Sequence, residues 1–263
     1  MMVCNLLSRN ISIEGIVNQP HRSVASHYDD LLAERYTWMM GGAAACYSNA
    51  KALLDATGVT SNPGDLALDL GAGGGYHARL LAERGFEVIA VDANAALLQE
   101  LVEFCAGFGV TPVQADLLDD RAYRRRAPFA LVLCVGDTLA HLDTQDHVNK
   151  LIEQSASLLA PGGKLVLHFR EPPADMSPQN SIFTTRSERD RIMECVLHYW
   201  PDRVWVTDVV HEWNGHTWRS IRSTYGKLRL TVEGIIESAR VAGLGLELNE
   251  PHAKQRLLVF TRL

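Results

Sequence analysis

The chain has 263 residues and a mass of 29.1 kDa, enough for one sizeable α/β domain with an insertion. Its net charge of −6 gives no electrostatic reason to expect a nucleic-acid partner, because such binding depends on clustered Lys and Arg. The five cysteines are widely spaced without a CxxC pair, so neither a zinc site nor a disulfide framework is indicated, and we expect no metal. There is no apolar run of membrane-spanning length and no signal-peptide core at the N-terminus, so we expect a cytoplasmic protein that does not act at a membrane.

The first part of the chain predicts helix after a polar start. Residues 1 to about 22 are polar and show no hydrophobic period. From Val24 to Leu54 apolar residues recur at spacings of three and four, with an interruption at Gly41-Gly42. We therefore assign residues 1–60 to an N-terminal helical segment.

From residue 61 onward, strand and helix patterns alternate with short loops. This order predicts right-handed β-α-β crossovers and a doubly wound, mostly parallel sheet in a core over residues 61–175. We interpret Pro161-Gly162-Gly163 as a helix stop before the fifth strand. The predicted strands are 66–70, 87–91, 111–115, 129–135 and 164–169, and the predicted helices are 76–84, 95–107 and 146–159.

The pattern changes after the fifth strand. Residues 182–230 alternate in the manner of β-strands, and Asn214-Gly215 stands between two alternating runs, which is a strong hairpin signal. We predict an inserted antiparallel β ribbon of about three strands over residues 176–230. Residues 231–263 return to one helix and two strands, which bring the strands of the core to seven.

The most informative motif is LALDLGAGGGY at Leu66–Tyr76, followed by a strand that ends at Asp92. In an α/β fold, such a glycine cluster lets the backbone turn tightly beside a nucleoside, and an acid at the tip of the next strand accepts from the ribose hydroxyls. A dinucleotide fingerprint needs a third glycine where this chain has Tyr76. An NAD-dependent oxidoreductase is therefore disfavoured.

The arrangement D-x-G-x-G-G-G at Asp69–Gly75 resembles motif I of the class I methyltransferases that use S-adenosylmethionine (SAM). Asp116 follows the third strand, where that family has an acid that hydrogen-bonds the adenine amino group. The resemblance implies a Rossmann-like methyltransferase fold, SAM as the cofactor, and an N-terminal helical segment that closes over the site as a lid. The expected cofactor contacts are Tyr36, Asp69, Gly71, Ala72, Gly73, Asp92, Ala93, Asp116, Leu117, Cys134 and Val135.

Two loops at the carboxyl edge of the sheet resemble those of glycine and sarcosine N-methyltransferases. The segment LCVGDTLAHL is similar to their C-x-G-N-S-x-A-H-L, with Asp137 and Thr138 in place of Asn and Ser. Arg170 stands where that family has an arginine that grips the substrate carboxylate, a task for which a planar guanidinium is suited. We predict catalytic roles for Asp137, His141 and Arg170, and substrate contacts for Tyr28, Asp137, Arg170 and Tyr225.

Each of these roles has a structural alternative. Asp137 could cap the helix after the fourth strand, where Asp is a favoured residue. Arg170 could pair with an acid, and His141 could be a packing histidine. The aromatic residues of the N-terminal segment could belong to the core.

The sequence thus predicts a SAM-dependent methyltransferase that acts on a small metabolite, with an amine or amino acid carrying a carboxylate as the best candidate. In-line transfer requires alignment of the nucleophile, the methyl carbon and the sulfur, with water excluded. The alternatives are a SAM cyclase or lyase that releases methylthioadenosine, and a SAM-binding protein without catalysis. Methylation of proteins or nucleic acids is disfavoured, because GDTL stands where an N-P-P-Y-like motif would follow the fourth strand. The acceptor and the oligomeric state, including a homodimer, stay open.

Overall fold

The computed structural model describes residues 21–172 and 180–263. The polar start expected at residues 1 to 20 and the predicted junction between core and ribbon at 175–176 lie outside the described residues. The described strands are β1 Leu66–Leu70, β2 Glu87–Asp92, β3 Val110–Gln114, β4 Phe129–Cys134, β5 Leu159–Phe169, β6 Asn180–Ser187, β7 Arg191–Tyr199, β8 Arg203–Trp213, β9 Trp218–Leu228, β10 Leu244–His252 and β11 Gln255–Arg262. The described α-helices are α1 Val24–His27, α2 Tyr36–Met39, α3 Ala43–Ala56, α4 Tyr76–Glu83, α5 Ala95–Phe104, α6 Gln145–Leu158 and α7 Val232–Val241.

Seven of the described strands form the central sheet in the order β10-β11-β5-β4-β1-β2-β3. Strands β1 to β5 pair with one another in parallel, and β11 runs antiparallel between β5 and β10. The order reverses between β1 and β4, which is the switch point where α/β sheets bind their ligands. The predicted doubly wound, mostly parallel sheet of seven strands is confirmed.

Both faces of this sheet are covered by helices, so its central strands are almost fully buried. On one face, Leu68 and Leu70 of β1 share a cluster with residues of α6 and α7. On the other face, Ala67 packs in a cluster with residues of α3, α4 and α5. This double burial explains why the core strands read as continuous apolar runs in the sequence.

One boundary of the core differs from the sequence prediction. The helix α6 ends at Leu158 and β5 begins at once, so Pro161-Gly162-Gly163 lies within β5 rather than before it. The pairing of β4 with β5 shifts register here, and a Cβ on Gly163 would lie 2.9 Å from the carbonyl oxygens of Ala160 and Phe129. The glycine therefore serves close backbone approach at an irregularity of the strand.

The inserted ribbon is an antiparallel sheet of four described strands in the order β6-β7-β8-β9, rather than about three. The Asn214-Gly215 hairpin is confirmed, because it joins β8 to β9. The strand β6 was not predicted because it is an edge strand without an alternating pattern of buried and exposed residues. Ile182 and Phe183 point to opposite faces, and both are exposed.

The N-terminal segment follows a helical path that is less regular than the sequence suggested. The helix α1 continues into a π-helical turn, Tyr28–Leu32, and a 3₁₀ turn, Ala33–Arg35, before α2. This irregular helical stretch ends after α2 at Gly41 and Gly42, whose φ angles of 103° and 90° suit glycine. Leu31 and Leu32 pack against Met193 and Val210 of the ribbon. The segment therefore lies between the ribbon and the core.

Candidate active site

The loop between β1 and α4 is a glycine turn beside open space. Gly71, Gly73 and Gly75 all have positive φ angles, of 76°, 52° and 83°. A Cβ on Gly71 would lie 2.4 Å from Thr138, so a larger residue would clash there. A Cβ on Gly73 would meet nothing within 4 Å among the described residues, which leaves that side of the loop accessible to a ligand.

Asp92 binds the glycine loop from the end of β2. Its Oδ2 accepts from the Gly73 N–H at 2.8 Å, and its Oδ1 accepts from the Asn94 N–H at 2.9 Å. Burial raises the pKa of Asp92, while the backbone N–H groups around it oppose that rise. Each carboxylate oxygen can accept a further hydrogen bond, as ribose hydroxyls would require.

Asp69 is a buried carboxyl group at the same end of the sheet. Within the part of the chain that the structure describes, neither of its oxygens has a hydrogen-bond partner of normal geometry. Burial raises its pKa to about 7, and the charge of Asp92 adds to the rise. Such a group is satisfied by a cation, and the SAM molecule carries an ammonium group. The open glycine loop, Asp92 and the unpaired Asp69 together fit this cofactor.

The remaining predicted cofactor residues lie around the same edge of the sheet. Asp116 accepts from the Leu118 N–H at 2.7 Å and lines an open cavity of about 470 Å³ together with Lys150 and Gln154. The carbonyl of Leu117 accepts from the Tyr123 hydroxyl. The side chains of Ala72, Cys134 and Val135 are buried in the two core clusters, whereas Ala93 is exposed and accepts a hydrogen bond from Gln114 through its carbonyl.

Next to the glycine loop, the structure brings together four of the residues predicted to contact cofactor or substrate, and His141, which was predicted to be catalytic. We call Tyr28, Tyr36, Asp137, His141 and Tyr225 the acceptor cluster. The ring of His141 contacts Tyr28 and Tyr225 edge-on, with centroids 5.8 Å away in both cases, and the Tyr28 and Tyr36 rings are 6.3 Å apart. Burial raises the pKa values of Tyr28 and Tyr36, and the charges of Asp92 and Asp137 add to the rise. Asn94, which follows β2, donates to Asp29, the neighbour of Tyr28, so this tyrosine lies near the end of β2.

Asp137 is an ionised and well-bonded carboxylate. Gly136 and Asp137 both adopt left-handed φ angles, a conformation that Asp tolerates, and this turn carries the carboxylate to β5. Its oxygens accept from the Arg170 backbone N–H at 2.6 Å, and from Lys227 Nζ and Gln255 Nε2 at 3.2 Å. It makes no capping hydrogen bond to the following 3₁₀ turn of described residues, so the capping alternative is wrong.

The charges around Asp137 determine its protonation. Burial alone would raise its pKa, but the Lys227 ammonium, the Arg170 N–H and the Arg170 guanidinium hold the pKa well below the usual range. A carboxylate of such low pKa is a poor proton acceptor near neutral pH.

His141 is the buried base of the cluster. Burial and the charge of Lys227 hold its pKa well below the usual range, so the imidazole is neutral near pH 7. Its Nε2 is buried and has no hydrogen-bond partner among residues 21–172 and 180–263. A neutral ring nitrogen of this kind can accept a hydrogen bond from a ligand.

Arg170 and Lys227 supply positive charge at the edge of the cluster. The Arg170 side chain is 56% exposed, and its Nε lies 3.7 Å from Asp137 Oδ2, so the alternative in which it pairs with an acid is present in the structure. Lys227 is not among the residues predicted from the sequence, although it stands two residues after Tyr225 on β9 and therefore shares its face of the ribbon. Gln255 was not predicted either, and the sequence carries no signal for it.

The N-terminal segment binds both the core and the ribbon. On the core side, Asn94 donates to Asp29 at 2.8 Å, and Thr37 donates to Glu100. On the ribbon side, Arg35 makes two hydrogen bonds to Glu212, at 3.0 and 3.1 Å. The segment thus covers the region between the two sheets.

Residues 67–163 match the profile of a family described as "Methyltransferase domain". Together with the order of the strands, this match shows that the core of the chain has the fold of a class I SAM-dependent methyltransferase domain. The match contains the glycine loop, Asp92, Asp116, Asp137 and His141, whereas Arg170 and Tyr225 lie outside it.

Other proteins resemble parts or all of this methyltransferase fold. A protein-L-isoaspartate O-methyltransferase of Methylorubrum extorquens is 33% identical over 132 residues, which cover 49% of this chain and 50% of that protein. The chain spans about half the length of the curated relatives that it matches. The CcbJ methyltransferase from Streptomyces caelestis has a TM-score of 0.68 at 22% identity, covering 82% of this chain and 96% of that one. CalS10, an amino pentose methyltransferase from Micromonospora echinaspora, has a TM-score of 0.67 at 18% identity, covering 93% of this chain and all of that one.

Two further observations concern the described residues of this methyltransferase fold. They contain no group of three or more His, Cys, Asp or Glu side chains arranged to hold a metal ion. None of their helices combines the length and the apolar content needed to cross a membrane.

Proposed function

We propose that the chain methylates the amine of a small molecule that also carries a carboxylate, with SAM as the methyl donor. The observation that carries this proposal is the neutral His141, whose unpartnered Nε2 lies in the acceptor cluster beside Tyr28 and Tyr225. The cluster adjoins the glycine loop, because Thr138, the residue after Asp137, lies against Gly71.

The cofactor side of the proposal rests on Asp92, Asp69 and the glycine loop. Asp92 would accept from the ribose hydroxyls, and Asp69 would pair with the ammonium group. When bound, SAM supplies an electrophilic methyl carbon on its sulfonium. The chain's own task is to hold the acceptor in line with that carbon and to exclude water.

His141 is the group that we assign to the attacking amine. Its Nε2 accepts a hydrogen bond from the amine N–H and so directs the nitrogen lone pair towards the methyl carbon. The pKa of His141 lies well below neutral pH, so the imidazole orients the amine as a hydrogen-bond acceptor, and the proton released after transfer passes to solvent. Asp137 is unsuited to orienting the amine, because three N–H donors already occupy its carboxylate. We assign it instead to holding Arg170 and Lys227.

The acceptor carboxylate is assigned to Arg170. Two cations, Arg170 and Lys227, face the single carboxylate of Asp137, which leaves one positive charge uncompensated by that group. An anionic group on the acceptor would balance it, and the exposed guanidinium can donate two parallel hydrogen bonds to a carboxylate. Tyr28, Tyr36 and Tyr225 stay protonated, because burial raises their pKa values, and they can donate further hydrogen bonds.

We assign the N-terminal segment, residues 1–60, the role of a lid over both ligands. Residues 61–175 form the cofactor-binding core, residues 176–230 form the ribbon, and residues 231–263 complete the core in this assignment. The hydrogen bonds of Asn94 to Asp29 and of Arg35 to Glu212 support this assignment, because they connect the segment to both sheets. A lid of this kind excludes water during transfer. CalS10, a protein of similar fold, is described as an amino pentose methyltransferase, and a substrate that carries an amine is consistent with the proposal.

The proposal is tested by incubating the purified chain with SAM, alone and with a pool of amino acids and small amines. An isoaspartyl peptide is added in a separate reaction, because the sequence relatives are protein-L-isoaspartate methyltransferases. Mass spectrometry should find S-adenosylhomocysteine and one methylated amine only when the pool is present. Methylthioadenosine formed from SAM alone would instead establish a cyclase or lyase, and a methyl ester on the peptide would establish O-methylation.

Matched variants connect the activity to the site. We expect His141→Gln to lose most methyl transfer and His216→Gln to retain it, because His216 lies in the exposed turn between β8 and β9. Equal activity of the two variants would remove His141 from the proposed mechanism.

A further inference from the structure

A second group of buried polar side chains lies on the ribbon side of the acceptor cluster. It consists of His27, Asp208 and Ser223, which are 0%, 5% and 6% exposed. His27 Nε2 lies 3.1 Å from Asp208 Oδ2. Asp208 and Ser223 are direct partners in the pairing of β8 with β9, so their side chains point to the same face of the ribbon.

This group is continuous with the acceptor cluster through Tyr225. Tyr225 stands two residues after Ser223 on β9 and therefore shares its face. The His27 ring stacks on the Tyr225 ring with centroids 4.1 Å apart, and the edge of His141 meets the same tyrosine. His141 and this group thus contact the same tyrosine ring.

Two atoms of the group lack the hydrogen bonds that buried polar atoms normally make. In the described parts of the chain, neither His27 Nδ1 nor Ser223 Oγ has a partner. Leaving such atoms unpaired is costly, so native proteins rarely do it without a ligand or water to complete them.

The hydrogen-bonding capacities of these two atoms are complementary. A carboxylate only accepts hydrogen bonds, so the contact with Asp208 requires the proton of His27 on Nε2. The Nδ1 then carries a bare lone pair and can only accept. Ser223 Oγ carries a proton and can donate. A hydroxyl group, which both donates and accepts, satisfies both atoms.

We propose that His27, Asp208 and Ser223 form a subsite for a hydroxyl group on the acceptor molecule. The hydroxyl donates to His27 Nδ1 and accepts from Ser223 Oγ, while Asp208 fixes the imidazole. This inference rests on the proposed function and adds a substrate class to it, namely hydroxylated amines. A second carboxylate is excluded by repulsion from Asp208, and an apolar group would leave both polar atoms unpaired.

The subsite is tested by calorimetric titration of the full chain loaded with S-adenosylhomocysteine. The probes are pairs that differ by one hydroxyl: L-serine and L-alanine, L-threonine and L-2-aminobutyrate, and L-homoserine and L-2-aminobutyrate. We expect at least one hydroxylated member to bind about tenfold more tightly than its partner. If no hydroxylated probe binds more tightly than its partner, the subsite is overturned.

Ser223→Ala is the diagnostic variant, because it removes one hydroxyl and leaves the His27–Asp208 contact in place. It should abolish the hydroxyl preference. Ser220→Ala is its matched control, since Ser220 lies on the same strand but on the opposite face, where it contacts His211. A preference that survives Ser223→Ala would also overturn the subsite.

Nitrogen NMR of the histidine side chains gives a readout that needs no turnover. We expect His27 to carry its proton on Nε2, and its Nδ1 resonance to shift with the hydroxylated probe but not with the partner. A proton on Nδ1 would contradict the subsite. Methyl transfer to pooled amines without a hydroxyl preference would refute the subsite alone, whereas hydroxyl-dependent binding without methyl transfer to any amine would refute the proposed function.

Discussion

The Asp137 carboxylate lies 3.2 Å from the Lys227 ammonium, although the two residues are 90 positions apart in the chain. Asp137 belongs to the loop after β4 in the core, and Lys227 belongs to β9 in the ribbon. The pair therefore joins the two sheets directly beside the acceptor cluster. Its partners determine both the stability of this junction and the charge that a ligand meets there.

Removing one member of this pair should destabilise the fold. We expect Lys227→Met to lower the free energy of unfolding by about 1–3 kcal/mol, because it leaves the buried Asp137 carboxylate with weaker compensation. Urea denaturation followed by circular dichroism measures the change. The control is Lys51→Met, which breaks an exposed pair with Asp55 and should change the free energy of unfolding far less. Similar losses in both variants would show that the Asp137 pair is not special.

Cofactor affinity should depend on Asp92. We expect Asp92→Asn to weaken the binding of S-adenosylhomocysteine by about tenfold or more, since the amide loses one charged acceptor for the glycine loop and the ribose. Isothermal titration calorimetry measures the affinity. Glu237→Gln, which alters an exposed ion pair with Arg240, should bind normally. An unchanged affinity in Asp92→Asn would contradict the assigned ribose contact.

The affinity for cofactor should also depend on pH through Asp69. Burial, followed by the charge of Asp92, raises the pKa of Asp69 to about 7, so the carboxyl is increasingly neutral below that pH. Pairing with the cofactor ammonium requires the ionised form. Affinity should therefore be constant above about pH 7.5 and fall by up to about tenfold for each pH unit below about 6.5.

Asp69→Asn provides the control for this pH dependence. It should bind S-adenosylhomocysteine weakly and show no such change between about pH 5.5 and 8.

Asp69 also affects how the free energy of unfolding depends on pH, with a sign opposite to that of a paired carboxylate. The folded state holds the Asp69 proton more tightly than the unfolded state, so this contribution to stability is lost as the pH rises from about 4 to 7. Asp69→Asn should remove that loss.

His141→Gln should lower kcat by about 100-fold or more while leaving S-adenosylhomocysteine affinity unchanged, because the amide does not place a hydrogen-bond acceptor where the ring nitrogen orients the amine. In the wild type, kcat/KM should rise with pH along the ionisation of the acceptor amine. No inflection is expected near pH 6.5, because burial and Lys227 keep the pKa of His141 far below that value. A histidine-like inflection there, absent from His141→Gln, would show that the imidazole is charged in the working enzyme.

Much of the core could be predicted from the sequence, because its strands are buried on both faces and bounded by turn residues. The strand β1 has the predicted bounds, Leu66–Leu70. Local pattern failed where tertiary pairing decided the structure. The bulged start of β5 depends on its register with β4, and the edge strand β6 lacks the alternation of a half-buried strand.

The cofactor half and the acceptor half of the candidate site differ in how many of their contacts could be predicted from the sequence. The cofactor half is built from consecutive loops at one sheet edge, so chain order alone places Asp69 and Asp92 together. The acceptor half is assembled from the N-terminal segment, the core and the ribbon. His27 and Asp208, for example, are 181 positions apart, and only packing shows that they meet. Lys227 could have been found from its two-residue spacing to Tyr225.

The position of the N-terminal segment has a consequence for the timing of turnover. Asp29 of this segment binds Asn94, which is next but one to Asp92, while Arg35 binds Glu212 in the ribbon. For the lid that we propose, a movement that uncovers a bound cofactor must also break the contact with the ribbon. We therefore expect the residence times of spent cofactor and methylated product to be coupled, because both would leave during the same opening event.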